Sequence, residues 1–247
     1  MLKAVLLDLD NTLILFDEPA FYARFFDRMT AFFEDIMPTE ELTRRTLAAT
    51  MALKDNAGAM SNRDWFTRAF DDGAELPMAR IWERWLDFYR DRYGPFGIDI
   101  AIPEGQAEVV SDLAQRGLSL VIASNPIFPP IALARRMAWG GIDPEPFSLL
   151  THMENMSFVK PHAGYYRSIS EMIGIAPSDC LMVGNDPVND MAAGAIGMKT
   201  YLTTDASESD FASLTMGSGA VVDRPQSDFS GPLSRVCDAV DDLLSRP

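Results

Sequence analysis

Apolar and polar positions along this chain follow two rhythms, and the change between them divides it. Ala4-Val5-Leu6-Leu7 is an unbroken apolar run that ends in Asp8 and Asp10. A run apolar on both faces predicts a buried central strand of a parallel sheet, over residues 3–9. From about Ala20 to Tyr93 the period is helical. Phe21, Phe25, Met29 and Phe32 or Phe33 recur at three-to-four spacing, as do Ile81, Trp85, Phe88 and Tyr89. No stretch in this block alternates as a strand would, and Gly94-Pro95-Phe96-Gly97 punctuates its end. Short apolar runs then predict strands over 118–123, 147–151, 180–183 and 199–202. Helices are predicted between and after them. One opens at Pro103-Glu104-Gly105 and runs to Gln115, with Gly117 as its C-terminal cap, and one runs from Pro129-Pro130 to Trp139. Others cover 163–173, 187–196 and 232–244. Residues 203–226 are polar, with a possible short strand at 220–222.

Strands alternating with helices at this spacing predict an α/β fold, a doubly wound parallel sheet of Rossmann-like form. Residues 1–16 and 98–247 would form that core. Residues 17–97 would be an inserted, all-helical unit covering the edge of the sheet where ligands bind.

Charge narrows the partners. The chain has 247 residues, 47% of them apolar, and 36 acidic against 21 basic side chains leave a formal net charge of -15. A nucleic-acid polymer or an anionic membrane surface would need a basic face, so neither is expected. A small phosphorylated ligand needs only a local positive site. Cys180 and Cys237 lie in apolar contexts and make no disulfide framework, so a reducing, cytoplasmic setting is expected. The N-terminal run lacks a signal peptide's cleavage site, and no segment is apolar for long enough to span a bilayer. A monomer or homodimer is expected.

The ends of the predicted strands carry the chemistry. Asp8 and Asp10, two apart on an extended chain, point the same way. Ser124 and Asn125 close the second strand, and Asp186 and Asp190 follow Gly184 at the end of another. Lys160 arrives from a loop, its backbone held extended by Pro161. In a parallel sheet these ends lie side by side. Clustered carboxylates need a compensating charge, which a divalent cation bound by hard oxygens would supply. Carboxylates, a hydroxyl, an amide and an ammonium together suit phosphoryl transfer.

In these motifs the chain resembles the haloacid dehalogenase superfamily of phosphohydrolases. Asp8-Leu9-Asp10-Asn11-Thr12 is similar to its first motif, Ser124 to its second, Lys160-Pro161 to its third and Gly184 to Asp190 to its fourth. The resemblance covers about residues 1–16 and 98–202. It implies a Mg²⁺-dependent phosphatase acting on a small phosphorylated metabolite. Asp8 would be the nucleophile, forming an aspartyl-phosphate, and Asp10 the general acid and then base. Thr12, Ser124 and Asn125 would hold the phosphate side, and Lys160 would neutralise charge. Asp8, Asp10 through its carbonyl, and Asp186 would hold Mg²⁺, with Asp190 and Asn185 auxiliary. Many relatives carry Asp where this chain has Asn185, and Asp186-Pro187 also reads as an ordinary helix cap. A phosphomutase or other phosphoryl transferase shares the same set, and a non-catalytic binding relative is the remaining alternative. His152 and His162 are expected to be structural, and Trp82, Trp85 and Phe88 core. Met153 and Met156 are expected to fill gaps. The basic residues of the insertion, among them Arg24, Arg28, Arg44, Arg45, Lys54, Arg63 and Arg68, are expected mostly on solvated faces.

Overall fold

A computed structural model describes residues 1–206 and 226–245. Its centre is a parallel sheet of strands β1 (Ala4–Leu7), β2 (Ser119–Ile122), β3 (Phe147–Leu150), β4 (Cys180–Gly184), β5 (Lys199–Thr203) and β6 (Phe229–Gly231). They run in the order β3-β2-β1-β4-β5-β6, every neighbouring pair parallel. This is the doubly wound order, in which the chain's direction of travel across the sheet reverses at β1.

The period-2 pattern of each strand sorts its side chains onto two buried faces. Val5, Leu7, Leu120, Ile122, Leu181 and Val183 pack on one face, against helices α5 (Gln106–Gln115), α6 (Pro130–Trp139) and α8 (Val236–Ser245). Ala4, Leu6, Val121, Ala123 and Met182 pack on the other, against Tyr165, Tyr166 and Ile169 of α7 (Ala163–Ile173). All side chains of β1 are fully buried, and each Leu or Val so placed contributes about 1.5–3 kcal/mol. A polar group in β1 would break this double packing.

The inserted block folds as α1 (Glu18–Phe32), α2 (Thr39–Ala52), α3 (Asn62–Asp71) and α4 (Met78–Asp91). Helix α1 begins at Glu18 rather than near Ala20, because Asp17 caps it: its Oδ1 accepts from Ala20 N at 3.0 Å. The aromatic stripe of this unit does not close on itself. Phe21, Phe25, Phe33, Trp85, Phe88 and Tyr93 share one cluster with Ala132, Met153 and Val159 from the sheet unit. Asn62 fastens the two together. Its Nδ2 donates to the carbonyls of Pro126 at 3.2 Å and Phe158 at 3.0 Å, and its backbone N to Met156 at 2.8 Å. The helices therefore sit over the loops that leave β2 and β3.

The sequence pattern and the structure part in two further places. Residues 187–196 form a turn and then a 3₁₀ helix, Met191–Ile196, instead of an α-helix. The Asp190 side chain is turned inward onto Lys160, and Gly194 lowers the helix propensity of the next turn. Strand β6 is absent from the predicted set, since Phe229-Ser230-Gly231 offers no apolar run. The possible strand at 220–222 lies outside the described residues. Among the described residues, no helix is long and apolar enough to cross a membrane.

Candidate active site

Register decides which residues meet. Leu7 stands beside Ile122 on one side and Val183 on the other. Just beyond, Ala123 N donates to Leu7 O at 2.8 Å, and Asp8 N to Val183 O at 2.9 Å. The residues just past β1, β2 and β4 are thus laid along one rim at the switch point, where open α/β sheets bind ligands. After Asp8 the chain turns tightly, with Leu13 N and Ile14 N both donating to Leu9 O at 2.9 and 3.0 Å. The turn requires a left-handed residue, and Asn11 supplies it with φ 57. Its side chain accepts from Phe16 N at 2.9 Å and donates to Glu18 at 3.1 Å. The turn brings the Thr12 hydroxyl back to 3.3 Å from Asp8 Oδ2 and 3.3 Å from Asn185 Oδ1.

Lys160 is the hub. Its ammonium donates to Asp8 Oδ1 at 2.7 Å and to Asp190 Oδ1 at 2.6 Å. The lysine is 5% exposed, so these are charge-assisted bonds in a low-dielectric setting. The Lys160–Pro161 peptide is cis, and Lys160 N donates to Asn125 Oδ1 at 3.2 Å. Asp190 Oδ2 accepts from Asp186 N at 3.0 Å. A Cβ at Gly184 would run into the Asp190 carboxylate, so only glycine lets that acid fold against the strand end. On the other flank the Ser124 carbonyl accepts from Thr151 Oγ1 at 2.7 Å and Tyr165 OH at 2.9 Å, which fixes the backbone carrying its hydroxyl.

Asp10 has a partner that pattern reading missed. Arg136, from α6, pairs with Asp10 Oδ2 through Nη1 and with Tyr93 OH through Nε at 2.8 Å. Its guanidinium lies 4.1 Å from the centroid of the Phe128 ring. Arg136 is 1% exposed. Its Nη2 and Asp10 Oδ1 are both buried without a hydrogen-bond partner.

The site is short of positive charge. Asp8, Asp190 and Lys160 form one buried group with two carboxylates around one ammonium. Burial, with the neighbouring Asp190 and Asp10, pushes the Asp8 carboxyl up to about 8 despite Lys160. Burial also holds Asp190 and Asp10 above the ordinary carboxylate value, opposed by Lys160 and by Arg136 respectively. For Lys160 burial works against the ammonium, but Asp190 and Asp8 outweigh it and hold the group well above the lysine value. A carboxyl raised in the folded state binds a proton there that the unfolded chain has released, so stability falls as pH rises between the two values. The metal-free protein is therefore expected to melt at a lower temperature at pH 8 than at pH 5 in the presence of EDTA, measured by calorimetry. Asp8→Asn should flatten that slope, and an unchanged slope would contradict the burial of these charges.

The donors available are hard oxygens: Asp8 Oδ2, the Asn185 amide oxygen, the Asp186 carboxylate and backbone carbonyls. That chemistry, with the missing positive charge, fits Mg²⁺. Among the described residues no three His, Cys, Asp or Glu side chains are gathered to cage a metal by themselves. A cation here would depend on carbonyls, waters and substrate oxygens, as Mg²⁺ commonly does.

Asp8, Asp10, Thr12, Asn185, Lys160 and Asp190 are thus gathered at one rim, with Ser124 and Asn125 beside them. Asp186 holds the turn that follows it, and because no α-helix starts at Pro187 it is not the helix cap that its neighbour suggested. Its Oδ1 accepts from Val188 N at 2.8 Å and Asn189 N at 2.9 Å, and its Oδ2 from Asn189 Nδ2 at 2.8 Å. Three bonds leave lone pairs for a cation, while Asn185 is the residue that shares Thr12 with Asp8. His162 caps α7, its Nδ1 accepting from Gly164 N at 2.9 Å. Several basic residues of the insertion serve it internally: Arg45 bonds Glu41 and the Phe70 carbonyl, Arg63 stacks on Trp82, and Arg84 donates to the Phe32 carbonyl.

Residues 2–197 match the family model described as haloacid dehalogenase-like hydrolase. Solved structures give the same fold at low identity. A 2-haloacid dehalogenase from Pseudomonas syringae pv. Tomato DC3000 is similar over 98% of this chain and 100% of its own, at 18% identity and TM-score 0.62. A predicted phosphoglycolate phosphatase from Haemophilus somnus 129pt is similar over 97% and 98%, at 18% identity and TM-score 0.58. A putative HAD-hydrolase from Bacillus subtilis, solved bound to magnesium, is similar over 99% of both chains, at 19% identity and TM-score 0.52. A search of curated proteins returned no match.

Proposed function

Since the chain belongs to the haloacid dehalogenase-like hydrolases, we propose that it is a Mg²⁺-dependent phosphatase that cleaves a small phosphorylated metabolite through an aspartyl-phosphate on Asp8. One observation carries this choice within the family: a second carboxylate, Asp10, stands two residues from the nucleophile and is held by its own buried arginine. Displacement of a halide needs only the nucleophile, because halide leaves unprotonated. An alkoxide leaving group needs a proton, which Asp10 would give.

In the first step an Asp8 carboxylate oxygen attacks phosphorus. The ester P–O bond breaks, and its electron pair takes the proton from Asp10. In the second step water attacks the phosphorus of the aspartyl-phosphate, gives its proton to Asp10, and the P–O bond to Asp8 breaks. Lys160 keeps Asp8 oriented and offsets charge on the phosphoryl oxygens, and the Ser124 hydroxyl and Asn125 backbone N–H donate to them. Burial pushes the Asp10 carboxyl up while Arg136 and Lys160 pull it down, and the net direction is upward, the direction that favours a proton donor. Asp8, Asp186, Asn185 and the Asp10 carbonyl would hold Mg²⁺, which when bound neutralises and polarises phosphoryl oxygens.

Many turnovers of phosphate release from p-nitrophenyl phosphate, dependent on Mg²⁺, are expected, with no chloride released from 2-chloropropionate. Release of chloride but not phosphate would overturn the proposal, and isomerisation of a sugar phosphate without net phosphate release would indicate a mutase. Asp10→Asn should lower kcat by ~10²–10⁴-fold, the usual share of general acid–base catalysis, as followed by steady-state kinetics on an alkyl phosphate.

A further inference from the structure

A cavity one side chain removed from Asp10, through Phe128 and Arg136, has walls that bear on the leaving group. It has a volume of about 60 Å³ and lies between the helical unit and the loop after β2. From the helices come Phe25, Phe66, Trp82, Trp85 and Tyr89, and from the loop Ile127, Phe128 and Pro129. That loop is the direct continuation of Ser124-Asn125. Phe128 is also the ring under the Arg136 guanidinium that holds Asp10. Phe128 and Arg136 thus link the cavity wall to the proposed acid. Among the described residues, none that lines it is charged.

Two wall residues carry a polar atom with nothing to bond. Trp85 Nε1 and Thr46 Oγ1 are buried without a hydrogen-bond partner, on side chains of residues 4% and 6% exposed. Buried donors are nearly always satisfied, and each left alone costs stability. Both belong to helices of the inserted unit that line the same space. An apolar pocket with a few polar groups is the ordinary form of a small-molecule site.

Resting on the phosphatase reading, we infer that the substrate is a phosphate monoester of an aromatic or similarly flat, uncharged alcohol bearing a hydrogen-bond acceptor. Its ring lies among Phe25, Trp82, Trp85 and Phe128, and Trp85 and Thr46 donate to its acceptor. A sugar would bring more hydroxyls than the few polar atoms of this wall can bond, and no charged residue lines the cavity to pair with a second carboxylate.

The test uses the full chain with Mg²⁺ and four esters of primary alcohols, so that leaving-group acidity varies little: benzyl phosphate, 4-acetylbenzyl phosphate, glucose 6-phosphate and 2-phosphoglycolate. Both aromatic esters are expected to exceed the other two in kcat/KM by at least about tenfold, a difference an apolar pocket readily supplies. Thr46→Val and Trp85→Phe should raise KM for the acetyl ester by about two- to tenfold, the worth of one hydrogen bond. The melting temperature of Thr46→Val should hold or rise, since an orphaned polar group has gone. A preference for glucose 6-phosphate or 2-phosphoglycolate would overturn the inference and leave the phosphatase reading standing. Should no ester be cleaved, the phosphatase reading fails, and quenching of tryptophan fluorescence by 2-naphthylmethanol then reads the cavity alone. Saturable quenching weakened by Leu47→Trp, which narrows the mouth, would uphold the ligand class, and its absence would refute it.

Discussion

Asp8→Asn is expected to abolish multiple turnover, with a loss in kcat of about 10⁶-fold, the scale seen when a covalent nucleophile is removed from a hydrolase. The argument is geometric before it is chemical. The Asp8 backbone N donates to Val183 O at 2.9 Å, so the residue's position is set by the sheet and not by its side chain. Asparagine keeps the shape and leaves Lys160 its second partner, Asp190, at 2.6 Å. The amide cannot form an acyl phosphate. The fold should be retained, and because one of two carboxylates crowded around a single ammonium is gone, the metal-free variant should melt no lower than the parent at pH 8. Circular dichroism melts and phosphate release, taken on the same sample, separate lost chemistry from lost structure. Near-normal turnover would place the nucleophile elsewhere.

Arg136→Met is expected to have the largest effect on stability. Removing one partner of a buried ion pair leaves the other charge uncompensated and costs about 3–5 kcal/mol. Here Asp10 would lose its arginine, the Tyr93 hydroxyl would lose a bond, and the Phe128 ring would lose its cation. The Asp10 side chain keeps 21% exposure, so the lower part of that range applies, a drop in melting temperature on the order of 10 °C for a chain of this size. The double variant Arg136→Met with Asp10→Asn should recover part of the loss, since the stranded charge is then removed as well. Equilibrium denaturation of the single and double variants measures both numbers. Equal stability of Arg136→Met and the parent would mean that the pair does not hold Asp10.

The sequence exposes the rim of this site but hides its supports. Asp8, Ser124, Asn125, Asn185 and Asp186 each stand just past an apolar run, and a parallel sheet turns that position in the chain into proximity. Lys160 and Asp190 are reached by the same reasoning, one through its loop and the other through its strand end. Arg136 is different, because its neighbours on the same helix face are apolar. Its only mark is that it falls on the buried stripe of α6 with Ala132, Leu133 and Met137. A charge on a buried stripe needs a partner, and Asp10 is 126 residues away. The Trp82 and Trp85 pattern predicts core, and both are indeed buried in the aromatic cluster. Periodicity cannot tell a wall of a cavity from a filled core, since both are apolar stripes of the same spacing. Strand β6 is hidden for a simpler reason: three residues paired on one side only need no hydrophobic run.

The most direct test of the central claim is to mix the Mg²⁺-loaded protein with substrate, quench in acid within milliseconds and map the modified peptide by mass spectrometry. Phosphate on the peptide carrying Asp8, formed before free phosphate is released and missing from Asp8→Asn, is the expected result. Phosphate on another residue, or full-rate hydrolysis without any phosphorylated peptide, would contradict the account.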